Sequence, residues 1–114
     1  MSDCLFCKIA GREIPSQIVL ETPEVLIFKD IHPAAPLHLL AIPKKHVDNI
    51  CDPSLLDQDI LRNIAAAIQE TAAKLNLKEN GFRVVVNYGH DAGEAVPHLH
   101  FHILAGRQLG WPPG

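Results

Sequence analysis

His98-Leu99-His100-Phe101-His102-Ile103-Leu104 alternates polar and apolar residues with a period of two. In a β-strand that alternation puts three imidazoles on one face, at intervals of roughly 6.5–7 Å, and Leu99, Phe101 and Ile103 on the other. In a helix only His98 and His102 would be neighbours. The strand reading accounts for every residue of the segment, so the fold is built outward from a strand that begins after Pro97 and runs to Leu104.

Just upstream, Tyr88 to Ala95 is a small polar loop holding Gly89 and Gly93. Before it, Phe82 to Asn87 is a β-branched run with a single charge, Arg83, and reads as an interior strand. Gln17–Glu21 and Glu24–Asp30 flank the turn signal Thr22-Pro23 and form a hairpin. Leu37–Ile42, between Pro36 and Pro43, is a further strand. Asp52 can cap a helix with Pro53 in its first position, and apolar residues follow at Leu56, Ile60, Leu61, Ile64, Ile68, Ala72 and Leu75. That spacing predicts one buried stripe of about six turns, stopping near Asn80-Gly81. Cys4 to Ala10, ended by Gly11, suits one short N-terminal helical turn. The expected fold class is α+β: a five-stranded antiparallel sheet with one main helix across it.

The 114 residues are read as one domain, 1–114, with 47% hydrophobic and 20% charged residues, an ordinary composition for a chain that packs its own core. Ten Lys and Arg against thirteen Asp and Glu give a net charge of −3, and no basic stripe suggests a nucleic-acid partner. No run approaches the ~18 apolar residues of a membrane span, and Met1-Ser2-Asp3-Cys4 does not begin a signal peptide. Three cysteines, Cys4, Cys7 and Cys51, make an odd count that argues against a secreted disulfide framework. The expected location is the cytoplasm.

One histidine on a sheet face is usually a wet surface residue, but three in register are a costly way to build such a face. Histidine brings proton transfer, nucleophilicity or metal binding. Three metal ligands must converge at about 2.0–2.1 Å, which residues spaced two apart on one strand achieve only partly. A nucleophile needs one imidazole aimed at an electrophile and a neighbour that fixes its tautomer, a role that suits the flanked His100. Phosphorus is the natural electrophile, because its oxygens call for donors such as the backbone amides near Gly93, Glu94 and Ala95 and the side chain of Asn87.

The segment His98 to Leu104 fits the histidine-triad signature without a mismatch. Phe6-Cys7-Lys8-Ile9, Glu13-Ile14-Pro15, Phe28-Lys29-Asp30-Ile31, Ile42-Pro43-Lys44-Lys45-His46, Val84-Val85-Val86-Asn87 and the tail Gly106 to Gly114 resemble, in order, the nucleotide-binding branch of the histidine-triad (HIT) family. The resemblance implies a homodimer whose sheet is extended by dimerisation. It implies binding of purine nucleoside monophosphates and hydrolysis of nucleoside 5′-phosphoramidates, with no cofactor required for the chemistry. By the same likeness His100 is the nucleophile, His102 holds a phosphate oxygen, and His98 with His38 sets the protonation of the site. Phe6, Phe28, Asp30 and Ile31 would lie against base and ribose, with Asn87 near the phosphate. Ala95 stands where many relatives carry a serine, and His32 and Leu37 replace a common Ser and Thr.

Cys4 and Cys7 have the spacing of half a zinc site, and His46 and His98 are the candidates to complete it, as in some relatives that share the cysteine pair. Two reduced thiols without metal are the plain alternative. Cys51 reads as a small buried hydrophobe, His90 as exposed, Lys44-Lys45 as a solvated pair, and Trp111 as either a frayed end or an anchor. Beside the nucleotidyl hydrolase, two functions stay open: a nucleotide- or zinc-binding regulatory module, and a metal hydrolase using the three histidines.

Overall fold

The computed structural model describes residues 3–114, so Met1 and Ser2 of the 1–114 reading lie outside the described residues. Five strands, β1 (Ile18–Glu21), β2 (Val25–Lys29), β3 (Leu37–Pro43), β4 (Arg83–Val85) and β5 (Phe101–Ala105), form one sheet in the order β1-β2-β3-β5-β4. Every pairing in it is antiparallel. The helices are α1 (Leu5–Ala10), α2 (Ser54–Asp57) and α3 (Ile60–Lys74), with a 3₁₀ turn at His90–Ala92.

Both faces of the central strands are covered, which explains why β2 and β3 read as nearly continuous apolar runs. One face presents Val25, Ile27, Leu39, Ala41, Phe101 and Ile103 to Ile60, Ile64 and Ala67 of α3. The other presents Leu26, Phe28, Leu40 and Ile42 to Phe6 and Ile9 of α1. At about 1.5–3 kcal/mol for each fully buried large aliphatic or aromatic side chain, these two layers hold the sheet. Six residues are too few for a helix to persist in water alone, so α1 exists because it is packed and capped. The Cys7 amide donates to Cys4 Sγ at 3.4 Å, and the Gly11 amide closes the last turn on the Cys7 carbonyl at 2.9 Å.

The histidine row keeps its alternation even where it precedes the ladder. Leu99, Phe101 and Ile103 pack on the α3 side, while His98 and His100 meet Phe6 of α1 on the other. Regular pairing starts only at Phe101, because the Leu99 amide turns away to the Val47 carbonyl at 2.6 Å. The row is not a wet face: His98 and His100 are buried, and His102 is half-buried.

Three further expectations need correction. The single helix of about six turns is two helices, because Asp59 adopts a left-handed conformation (φ 59°) that ends α2 and restarts the chain as α3. Asp52 does accept from the Ser54 amide at 2.9 Å, but the break rotates α2 so that Leu55 faces the core at 3% exposure and Leu56 faces out at 75%. β4 is an edge strand rather than an interior one, and its Val84 is 42% exposed. Cys51 is exposed, in the turn before α2, where its amide bonds the Asn49 side chain. Among the described residues no helix is long and apolar enough to cross a membrane.

The register of α2 is directly testable. Leu55→Ala should lower unfolding free energy by about 2–5 kcal/mol, and Leu56→Ala should change it by less than about 0.5 kcal/mol. Urea denaturation of the two variants checks this, and a larger loss for Leu56→Ala than for Leu55→Ala would mean the expected unbroken stripe is the true one.

Candidate functional site

β3 and β5 are neighbours, so Leu40 pairs with His102 and His38 lies diagonally beside it on the same face. With α1 laid over that face, the side chains enclose a cavity of about 390 Å³, within the size range of small-molecule sites. Leu5, Phe6, Ile9, Ile14, Phe28 and Leu40 make its apolar wall. His100, His102, Ala95 and Val96 line it as well, as do Asp30, Ile31 and His32. Phe6 stands edge-on to Phe28 at 5.8 Å and to the His100 ring at 5.0 Å.

Hydrogen bonds to groups of known polarity assign the protons on these rings. The His98 carbonyl can only accept, so its 2.7 Å contact with His100 Nδ1 requires the proton on Nδ1. In the neutral ring Nε2 of His100 is then a bare lone pair. The Ala34 amide donates to His38 Nδ1 at 2.9 Å, which leaves the His38 proton on Nε2. That Nε2–H donates to His102 Nδ1 at 2.9 Å, so the His102 proton sits on its own Nε2. Side by side, therefore, are one imidazole offering an electron pair and one offering a donor. Burial, helped by the neighbouring His100 and His38 rings, pushes the His102 pKa below its ordinary value, while Asp30 pulls it the other way. Asp30 Oδ1 accepts from the His32 amide at 2.8 Å, and its Oδ2 lies 3.4 Å from His38 Nε2.

His98 faces a different set of partners. Its Nε2–H donates to the Pro43 carbonyl at 2.9 Å, leaving Nδ1 bare at 3.3 Å from Cys4 Sγ and 3.5 Å from Cys7 Sγ. His46 repeats the arrangement: Nε2–H donates to Asp48 Oδ1 at 2.7 Å, and Nδ1 is bare at 3.2 Å from Cys7 Sγ. The four ligand atoms of Cys4, Cys7, His46 and His98 all lie within 4.8 Å of one another. Two sulfurs, two bare nitrogens and an oxygen acceptor behind each ring are the donor set of a closed tetrahedral zinc site. Asp30, His38 and His102 also bring three ligand atoms together, but His38 Nε2 carries a proton there and has no free lone pair for an ion. Nor do the three histidines of the row converge on one ion, because their Nδ1 atoms meet a cysteine pair, a backbone carbonyl and His38 respectively.

Apart from the metal ligands Cys4, Cys7 and His46 just described, the sequence-derived candidates fall into three groups. Phe6, Phe28, Asp30, Ile31, Ala95, His100 and His102 share the cavity. His38 and His98 stand behind it, touching the lining histidines through His102 Nδ1 and His100 Nδ1. Asn87, Gly93 and Glu94 are not in the cavity wall; Glu94 instead accepts from the Gly89 amide at 3.1 Å and ties the loop to itself. Leu5, Ile9, Ile14, Leu40 and Val96 also line the cavity and were not singled out from the sequence. The signal for Leu40 was there, since it alternates with His38 along β3; Ile9 follows Phe6 by three residues on α1. His90 is fully exposed, and Lys44 pairs with Glu21 at 2.6 Å.

Burial lowers the His98 pKa from 6.5 to about 4, against the Pro43 carbonyl, with His46 and His100 adding to the depression. The unfolded chain takes up this proton near pH 6.5 and the folded chain only near pH 4. Stability of the metal-free protein is therefore fully present above pH 6.5 and is lost progressively as pH falls through about 4. Denaturant titrations of chelator-treated protein across that window should show the decline, and a flat profile would contradict the assignment.

Comparison with known proteins agrees with this geometry. Residues 11–109 match the HIT domain. The chain is 45% identical over 104 residues to Protein HitA of Neisseria gonorrhoeae, covering 91% of this chain and 96% of that protein. It superposes on a HIT family hydrolase from Legionella pneumophila with a TM-score of 0.92 and 47% identity, covering 98% of this chain and 100% of that one. A histidine triad nucleotide-binding protein from Candida albicans superposes with a TM-score of 0.81 and 35% identity, covering 98% and 85% of the two chains. A histidine row on an antiparallel sheet, a cavity before it and a family match over most of the length lead to one conclusion: the chain belongs to the HIT domain family and has the fold of its hydrolases.

Proposed function

We propose that the protein hydrolyses nucleoside 5′-phosphoramidates through a covalent nucleotidyl intermediate on His100. The observation that carries this reading is the 2.7 Å bond from His100 Nδ1 to the His98 carbonyl, which leaves Nε2 as the free nitrogen of a ring lining the cavity. Attack by Nε2 forms a nitrogen–phosphorus bond and breaks the bond to the leaving nitrogen, which takes up a proton from solvent and departs as the amine. The imidazole becomes formally cationic, and its Nδ1–H stays on a carbonyl that stabilises the charge. Water then displaces the imidazole. The sum is phosphoramidate plus water to nucleoside monophosphate plus the protonated amine.

The other residues follow from their chemistry. His102, with its proton on Nε2, donates to a phosphate oxygen, and His38 keeps that tautomer in place. Phe6, Phe28 and Ile31 offer an apolar slot for a purine, and the Asp30 carboxylate suits a ribose diol. Ala95 flanks the phosphate end without a hydroxyl, while Asn87, Gly93 and Glu94 enter only as the frame of the loop before the row. In this reading the protein works as a cytoplasmic homodimer, and β4 with its exposed Val84 is one of the two edge strands, with β1, along which the sheet could be extended. Cys4, Cys7, His46 and His98 hold a zinc ion that supplies structure and no chemistry; the tautomers of both histidines suit it.

His100→Ala should abolish hydrolysis of adenosine 5′-phosphoramidate and leave adenosine monophosphate affinity within about tenfold, or ~1.4 kcal/mol. Rapid quenching of the wild type followed by intact-mass measurement should show one nucleotidyl group per chain; unchanged turnover in the variant would end the covalent reading. Elemental analysis of protein purified without added metal should find about one zinc per chain, reduced several-fold in Cys4→Ser. Absence of zinc from both would remove the metal reading.

A further inference from the structure

We infer that the Cys4–Cys7–His46–His98 centre and the nucleotide cavity are thermodynamically linked, so that zinc and a purine nucleoside monophosphate each raise the affinity for the other. The inference rests on the nucleotide-site and zinc readings above and goes beyond both, since a metal that merely stabilises the fold need not respond to nucleotide at all.

Two short routes join the sites. The first is α1, whose cap residue Cys4 and first-turn residue Cys7 belong to the metal centre. Leu5, Phe6 and Ile9 of the same six-residue helix form cavity wall. Such a helix has little stability of its own, so whatever clamps its cysteines also fixes its apolar side chains. The second route is His98. Its bare Nδ1 faces Cys4 and Cys7, and its carbonyl is the acceptor that orients His100. Phe6 ties the two routes together, with ring centroids 5.9 Å from His98 and 5.0 Å from His100.

A ligand that orders these shared groups spares the second ligand that cost, which is positive coupling without any large movement. Coupling between binding sites is reciprocal, so the factor by which zinc tightens nucleotide must equal the factor by which nucleotide tightens zinc. His46 is the handle on it. It is half-exposed, does not line the cavity and contacts the centre through Nδ1, but its ring also packs edge-on against His98 at 4.8 Å, so a cysteine replacement, which lacks the ring yet can ligate, separates the metal route from that packing.

The test titrates adenosine monophosphate by calorimetry into the full chain, zinc-loaded and chelator-treated, and measures zinc affinity with a competing chromophoric chelator, with and without saturating nucleotide. We expect about a tenfold tightening in both directions, within the usual span of allosteric coupling. His46→Ala should bind nucleotide like the chelated wild type, and His46→Cys, which rebuilds a four-ligand Cys₃His set, should restore the tightening. Circular dichroism of the chelated protein should keep its sheet signal; losing it would reduce the effect to unfolding and overturn the inference. Equal nucleotide affinity in the loaded and chelated forms also overturns it while leaving the nucleotide site standing. Absence of nucleotide binding in both forms is instead the failure of the nucleotide reading, and absence of zinc binding the failure of the metal reading.

Discussion

A single hydrogen bond from the His100 ring to the backbone carbonyl two residues earlier gives the site its chemical direction. An imidazole has one proton and two nitrogens, and in a neutral ring the nitrogen without the proton is the one that can attack or ligate. The His98 carbonyl makes that choice for His100, the Pro43 carbonyl makes it for His98, and the Ala34 amide makes it for His38 and, through it, for His102. Three of these four partners are main-chain atoms: Pro43 ends β3, while Ala34 and His98 lie in the segments that lead into β3 and β5, so the tautomers are set by how the backbone enters and leaves the sheet. Function in this protein is thus a property of backbone placement as much as of side-chain identity.

Burying four imidazoles on a sheet face has an electrostatic cost. Desolvation disfavours the charged forms of His98 and His102, and the rings beside those two make that proton harder still to add. The depressed values at His98 and His102 are the two clear signs of it. The fold tolerates that environment because each ring has a polar partner and because the opposite face of the same strands buries Leu39, Ala41, Phe101 and Ile103 against α3. The apolar half of the alternation stabilises what the histidine half strains.

Much of this was legible in the amino-acid order, and for definable reasons. Period-two alternation is a local property, so the histidine row declared its strand and its two faces, and Cys4-x-x-Cys7 marked two thiols that the fold brings beside His46 and His98. Features that depend on how distant segments meet were not readable. Phe82 to Asn87 looks interior because its residues are β-branched, yet β5 rather than β4 sits beside β3, and β4 is left at the edge. The stripe from Leu56 to Leu75 hid a break at Asp59, because one left-handed residue re-registers a helix without disturbing its apolar count, and Leu55 was available to take the place of Leu56. The depth of the histidines was also hidden, since covering them is the work of α1, whose six residues carry almost no helical signal by themselves.

The proton assignment that underlies all of this can be read directly. Long-range proton–nitrogen NMR on nitrogen-15-labelled protein at pH 8 distinguishes the protonated from the bare nitrogen in every imidazole. The account predicts His100 with its proton on Nδ1 and a bare Nε2, beside His102 with its proton on Nε2. A spectrum with the proton of His100 on Nε2 would leave no electron pair facing the cavity and would contradict the account at its root.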